Sequence, residues 1–189
     1  MISEDIVVLV NDKNEPLGIA PKLSVHGENT PLHRGFSVFL FNIRGELLLQ
    51  QRSRKKKTFP LVWSNSVCGH PKRVESALQA AKRGLKHEIG ITDVKVYEIL
   101  PDFRYTAKQD GVKENELCPV FAAFSNQALK INREEVENTC WIHWDEFLEK
   151  IKEKPTKYSS WSVEEATLLN KNPKFNKLFA KYTSKQELI

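Results

Sequence analysis

The sequence predicts a layered α/β (α+β) domain. Short apolar runs of β-forming residues recur along the chain, a few helix-like segments fall between and after them, and 189 residues are enough for one domain with a real core. No internal repeat, low-complexity tract or interdomain linker divides the chain. The expectation is therefore one domain over residues 1–189, with a helical C-terminal extension from about residue 171.

Taken in order, Ile6 to Val10 reads as a first strand, turned by Asn11 to Asn14, and Pro16 and Gly18 bound the next short segment. Gly35 to Phe41 and Glu46 to Gln51 are apolar β-rich runs joined at Asn42, Ile43, Arg44 and Gly45, which is a hairpin signal. Ser53 to Pro60 is polar, basic and proline-ended, hence a loop, and β-type residues return from Leu61 to Cys68. Ser76 to Ile89 is the clearest helix. Ser76 and Gln79 form a capping box, Ala77, Ala80, Ala81, Leu85 and Ile89 recur near the helical period, and Gly90 is a C-terminal stop. Gly84 costs that helix about 1 kcal/mol relative to Ala, which predicts a close packing contact there. Strands are expected at Val94 to Leu100, Phe103 to Ala107, Glu116 to Phe124 and Thr139 to His143. Helices are expected at Asp145 to Glu153, Ser162 to Leu169 and Lys174 to Tyr182.

Charge narrows the function. The 29 Lys+Arg exceed the 24 Asp+Glu, but the excess sits in the run Arg52 to Lys57 and in the Lys-rich tail after Asn170. A nucleic-acid-coating protein needs a broad phosphate-neutralising stripe, so no nucleic-acid partner is expected. No apolar stretch approaches the roughly 20 residues that span a bilayer. The start, with Glu4 and Asp5, lacks the basic region of a signal peptide, so a cytoplasmic protein without membrane attachment is expected. Cys68, Cys118 and Cys140 are odd in number and form no C-x-x-C pair, which argues for reduced thiols.

Candidate metal ligands are His26, His33, His70, Glu114 and Glu116. A strand alternates faces, so Glu114 and Glu116 offer two carboxylates to one side, and with three imidazoles they suit Mn²⁺, Zn²⁺ or Mg²⁺. The spacing alone favours the plainer reading, surface or capping histidines beside an exposed pair of glutamates. A second pattern runs from Gly69 to Ile91. Gly69, five residues, Glu75, seven residues and Arg83 follow the spacing of the Nudix box, but Gly84 and His87 stand where that box has glutamates and only Glu88 remains. Much of the charge that binds several Mg²⁺ ions for diphosphate hydrolysis is thereby lost.

The segments Trp63-Ser-Asn65-Ser-Val67-Cys68-Gly69-His70-Pro71, Pro101 to Tyr105, and Glu114-Asn-Glu116-Leu-Cys118-Pro119-Val120 closely resemble the type I isopentenyl-diphosphate isomerases, a branch of the Nudix superfamily. The resemblance runs from Lys22 to about Trp161. Leu61 departs from it, standing where the family usually has Gly, and nothing after Asn170 matches.

The resemblance implies a Nudix-like mixed sheet packed between helices. It also implies interconversion of isopentenyl and dimethylallyl diphosphate through a carbocation, in isoprenoid biosynthesis. His26, His33, His70, Glu114 and Glu116 are then the ligands of one divalent ion (Mn, Zn or Mg). Cys68 and Glu116 carry the proton transfers, Trp161 supplies an aromatic face to the cation, and Tyr105 supports Glu116 or Cys68 by hydrogen bonding. Lys22, Arg52 and Lys56 contact the diphosphate, Glu88 holds a Mg²⁺ bound with it, and Arg83 pairs with a carboxylate of the site. The expected partner is a small-molecule prenyl diphosphate, and no oligomeric state is implied. A Nudix hydrolase and a non-enzymatic acidic-partner binder are the competing readings, the first opposed by Gly84 and His87.

Overall fold

The computed structural model describes residues 5–183. Glu4 and the end of the Lys-rich tail lie outside the described residues. The elements are β1 (Ile6–Val10), β2 (Pro16–Pro21), α1 (Lys22–Val25), β3 (His33–Arg34), β4 (Phe36–Phe41), β5 (Glu46–Arg52), β6 (Trp63–Ser64), β7 (Val67–Gly69) and α2 (Ala77–Ile89). They continue with β8 (Val96–Leu100), β9 (Arg104–Gln109), β10 (Val112–Leu117), β11 (Val120–Phe124), β12 (Val136–His143), α3 (Trp144–Glu153), α4 (Ser160–Lys171) and α5 (Pro173–Thr183).

Two mixed sheets result. One is ordered β2-β1-β3-β10-β9 and the other β12-β5-β4-β11-β8, with β6 added to β5 and β7 to β4. The continuous strand expected from Glu116 to Phe124 is in fact two strands in different sheets. Pro119 has no N–H for a ladder, and the chain breaks at Cys118 and Pro119. The companion segment breaks at Gly35, and the two cross together between the sheets, tied by Gly35 N to Leu117 O and Ser37 N to Pro119 O. Within the sheets, β3 with β10 and β4 with β11 are parallel.

The expected hairpin of β4 and β5 closes at Asn42 N to Glu46 O, 3.0 Å, and its ladder pairs Phe41 with Leu47. Beyond that pair the strands splay, and Ser66 fills the gap: its hydroxyl accepts from Leu40 N and donates to Leu48 O. This wedge brings β6 and β7, and so Cys68, onto the sheet.

The seven-stranded sheet is packed between helices. Val38 and Leu40 of β4 face Ala80, Ala81, Leu85 and Ile89 of α2, while Phe39 and Phe41 face Trp144, Phe147, Ala166, Leu169 and Phe175 on the other side. α2 carries the expected capping box, with Gly90 left-handed at φ 75°. A Cβ at Gly84 would lie 2.9 Å from both Phe36 and Val67, the close contact that justifies glycine in this helix. The tail that matched nothing is part of the core: Phe175 and Phe179 of α5 pack on Phe41.

Candidate active site

Three short elements aim the histidines inward. His26 closes α1 with Nδ1 2.7 Å from Lys22 O, and His33 on β3 has Nδ1 2.9 Å from Pro31 O. A carbonyl only accepts, so in each neutral ring Nδ1 carries the proton and Nε2 presents a lone pair. Register pairs His33 with Glu116 across β3 and β10, and Glu114 and Glu116 both turn inward, as the two-residue period requires.

His26 Nε2 lies 2.9 Å from Glu114 Oε2, His33 Nε2 is 3.7 Å from the same oxygen, and His70 Nε2 is 3.0 Å from Glu116 Oε1. The Nε2 atoms of His33 and His70 are 3.2 Å apart. The reading of these groups as surface histidines and an exposed strand face is overturned, since His33, Glu114 and Glu116 are all buried. The donor set fits a cation. His26 Nε2 and Glu114 Oε2 face each other, and both are buried without a hydrogen-bond partner. His26, His33, His70 and Glu114 offer ligand atoms within 4.8 Å of one another, and this group could hold a metal ion, with Glu116 joined to it through His70 and His33.

Electrostatics separates the roles of the buried groups. Burial works to raise the Glu116 carboxyl, but His70 and His33 outweigh it and hold the group ionised. Burial depresses His70 against the opposing charge and hydrogen bond of Glu116. Burial works to lower His33, but Glu116, 3.6 Å away, outweighs it and raises the imidazole. Cys68 is pushed up to about 12, chiefly by burial, although Arg52 pulls the other way; it is a protonated thiol at neutral pH.

Cys68 and Glu116 line one cavity of about 540 Å³, together with Lys22, Arg52, Lys56, His26, His70, Tyr105, Glu114 and Trp161. Cys68 lies on β7 opposite Ser37, with Sγ 3.6 Å from Arg52 Nη1. Trp161, on the first turn of α4, packs on Tyr105 and Phe59 at ring-centroid distances of 5.5 and 5.2 Å. The hydroxyl of Tyr105 makes no hydrogen bond to Glu116 or Cys68 among the described residues; its part in the cavity is aromatic packing beside Trp161. Arg52 spends three N–H groups on the loop, giving Nε to Phe59 O and Nη2 to Thr58 O and Oγ1, so the fork expected for diphosphate is left with Nη1.

Glu88 is buried beside this cavity rather than in its lining, and accepts from Gln50 at 3.0 Å. Burial raises its pKa against the pull of Lys56. Arg83 does pair with a carboxylate, but with Glu75 of the Nudix box; it also donates to His70 O at 3.0 Å and so braces the loop carrying that histidine. Leu61, in the family's glycine position, is left-handed at φ 59°, which explains why Gly suits that turn.

Sequence reasoning missed three acidic groups. Glu134 and Glu135 line the cavity and pair with Lys55 and Lys56. Nothing local in the sequence links them, since the partners are 79 residues apart. Glu165 is fully buried and accepts from Ser37 Oγ at 2.8 Å. Its pKa stands well above the usual carboxylate range, mainly from burial. Its placement one turn after Trp161 was the available signal.

The NUDIX domain family model matches residues 31–162. An isopentenyl-diphosphate Delta-isomerase of Saccharopolyspora erythraea is 44% identical over 171 residues, covering 88% of each chain. The chain belongs to the isopentenyl-diphosphate isomerases of the NUDIX family. A Salmonella arizonae isomerase is 41% identical over 88% of this chain and 92% of its own. The fold is also that of the DR0079 protein from Deinococcus radiodurans, with TM-score 0.62 and 19% identity over 78% of this chain and 88% of that one. A MutT protein from Methanosarcina mazei Go1 gives TM-score 0.60 at 19% identity, over 75% of this chain and 97% of that one. Among the described residues no helix is long and apolar enough to cross a membrane.

Proposed function

We propose that this isomerase interconverts isopentenyl diphosphate and dimethylallyl diphosphate by proton transfer between Cys68, Glu116 and the alkene. The observation that carries the reading is one cavity lined by both Cys68 and Glu116, where burial pushes the thiol up while His70 and His33 hold the carboxyl down. An acid and a base kept in opposite protonation states are what a double-bond shift needs. One group gives a proton to the terminal alkene carbon, leaving a tertiary cation at C3, and the other removes a proton from C2. The reverse reaction exchanges these duties.

Trp161 and Tyr105 give the cation an aromatic wall with no nucleophile to trap it, an interaction of about 2 kcal/mol when desolvated. Lys22, Lys56 and Nη1 of Arg52, which also reaches Cys68 Sγ, bind the diphosphate, and Arg52 also stands over the Trp161 ring. His26, His33, His70, Glu114 and Glu116 would hold one Mn²⁺, Zn²⁺ or Mg²⁺. Bound there, the cation would fix the orientation of Glu116 and lower its proton affinity. Glu88 would hold a Mg²⁺ that arrives with the diphosphate.

In this reading the whole chain, α5 included, works as one catalytic unit in the cytoplasm on a small prenyl diphosphate, with no nucleic-acid partner. Its three cysteines are free, as reduced surroundings would leave them.

Incubation with isopentenyl diphosphate and Mg²⁺ in D₂O tests it. Dimethylallyl diphosphate carrying solvent deuterium, without phosphate release, is expected, and Cys68→Ala and Glu116→Gln should each slow turnover at least ~10²-fold. Substrate recovered unlabelled and intact defeats the proposal, and near-full turnover by either variant defeats the proton path.

A further inference from the structure

The basic loop after β5 is held against an acidic turn that leads into β12 and against the start of that strand. Arg54, Lys55 and Lys56 pair with Glu137, Glu134 and Glu135 respectively. These pairs are not equivalent. Lys55 and Glu134 are 58% and 69% exposed, so water screens them, whereas Lys56 and Glu135 are 21% and 25% exposed at the cavity wall.

The backbone under Glu135 is fixed on both sides. Ser53 N donates to Glu135 O at 3.0 Å, which ties the turn to the basic loop, and Asn132 N donates to Glu88 O at 2.9 Å, which ties it to the end of α2. Glu135 N closes the turn onto Asn132 O at 3.1 Å. The carboxylate therefore stands on a rigid bridge between the loop bearing Arg52 and Lys56 and the helix bearing Glu88. His87 contributes from that helix, its Nε2 3.5 Å from Glu135 Oε1. A glutamate at this place, as the Nudix box has, would repel Glu135 instead.

We infer that Glu135 is a positioning residue for Lys56, seating the ammonium on the wall of the diphosphate pocket. This rests on the diphosphate reading proposed above. A lysine stem has many rotamers, and holding it in advance removes an ordering cost from substrate binding. An ammonium has three N–H donors, so one can stay on Glu135 while two face the diphosphate. The charge of Lys56 and its hydrogen bond keep Glu135 ionised against the effect of burial, so the seat persists at neutral pH.

The test is calorimetric binding of inorganic pyrophosphate, with Mg²⁺, to the wild-type chain, Glu135→Ala, Glu135→Gln, Lys56→Ala and the double alanine variant. Glu135→Ala should weaken pyrophosphate about 5- to 10-fold, comparably to Lys56→Ala, and the double variant should be no weaker than Lys56→Ala alone. Glu135→Gln keeps an acceptor for the ammonium and should recover part of the loss. In turnover the effect should fall on KM with kcat little changed.

Unchanged or tighter pyrophosphate binding by Glu135→Ala overturns the inference. So do additive losses in the double variant, which would put the role of Glu135 elsewhere, and so does a wild-type chain that binds no pyrophosphate. Because binding is read without turnover, a wild-type chain showing the expected pattern but no isomerisation defeats the activity alone. Normal isomerisation with undiminished binding in Glu135→Ala defeats the seat alone.

Discussion

The proposed proton path needs Cys68 to rest as a thiol, and its alkylation rate measures that directly. The perturbation is iodoacetamide at pH 8 on the metal-free chain, with modification at each cysteine followed by peptide mass spectrometry. A thiol pushed up to about 12 leaves a thiolate fraction of about 10⁻⁴ at pH 8, against about a quarter for a free thiol of pKa near 8.5. That alone is a ~2000-fold loss of the reacting form. A more basic thiolate attacks faster, and a Brønsted slope of about 0.4–0.5 over ~3.5 units returns roughly 30-fold. Cys68 should therefore react about 50- to 100-fold more slowly than a free thiol, before any hindrance from burial. Exposed Cys140 is the internal standard and should react much faster than Cys68. Raising the pH should accelerate Cys68 about tenfold per unit, without a plateau below pH 10, because thiolate keeps accumulating until the pKa is reached. A rate at Cys68 within about threefold of that at Cys140, or a plateau below pH 9, would refute the reasoning. Arg52 at 3.6 Å would then have outweighed burial, and Cys68 would enter the reaction as thiolate.

Two other outcomes follow from the packing. His33→Ala removes a lone pair from the centre of the His/Glu group and should weaken Mn²⁺ or Zn²⁺ binding at least ~10-fold in equilibrium dialysis; unchanged binding removes His33 from the ligand set. Phe175→Ala should lower stability by about 3–5 kcal/mol in urea unfolding, because the ring is fully buried against Trp144, Phe41 and Phe179. A loss under about 1 kcal/mol would mean that α5 is not part of the core.

Where a local period governs, the sequence was legible. The two-residue alternation put Glu114 and Glu116 on one face, and the capping box and Gly90 bounded α2 within a residue. Pairing was less legible, since it depends on distant chain. Nothing in Gly35 to Gln51 announces that Ser66 will separate two strands that look like a simple hairpin. The pairs of Lys55 and Lys56 with Glu134 and Glu135 were hidden for the same reason. In the tail, lysines drew the attention, while Phe175 and Phe179, one helical turn apart, carried the packing. Trp161, singled out for an aromatic face, is at once a core aromatic buried against Phe59 and part of the cavity lining.

The lost Nudix glutamate and the thiol are connected through one contact. Gly84 sits where the box has a carboxylate, and a single added carbon there would meet Val67 and Phe36 at 2.9 Å. Val67 begins β7, the three-residue strand that carries Cys68 and pairs with β4. A glutamate at 84 would thus bury an unpaired charge and also push β7 off the helix, which costs several kcal/mol on either count. The same close approach that excludes a carboxylate at position 84 holds β7, and with it Cys68, on the cavity that Glu116 also lines. Gly84 is therefore a packing requirement of the strand that carries Cys68.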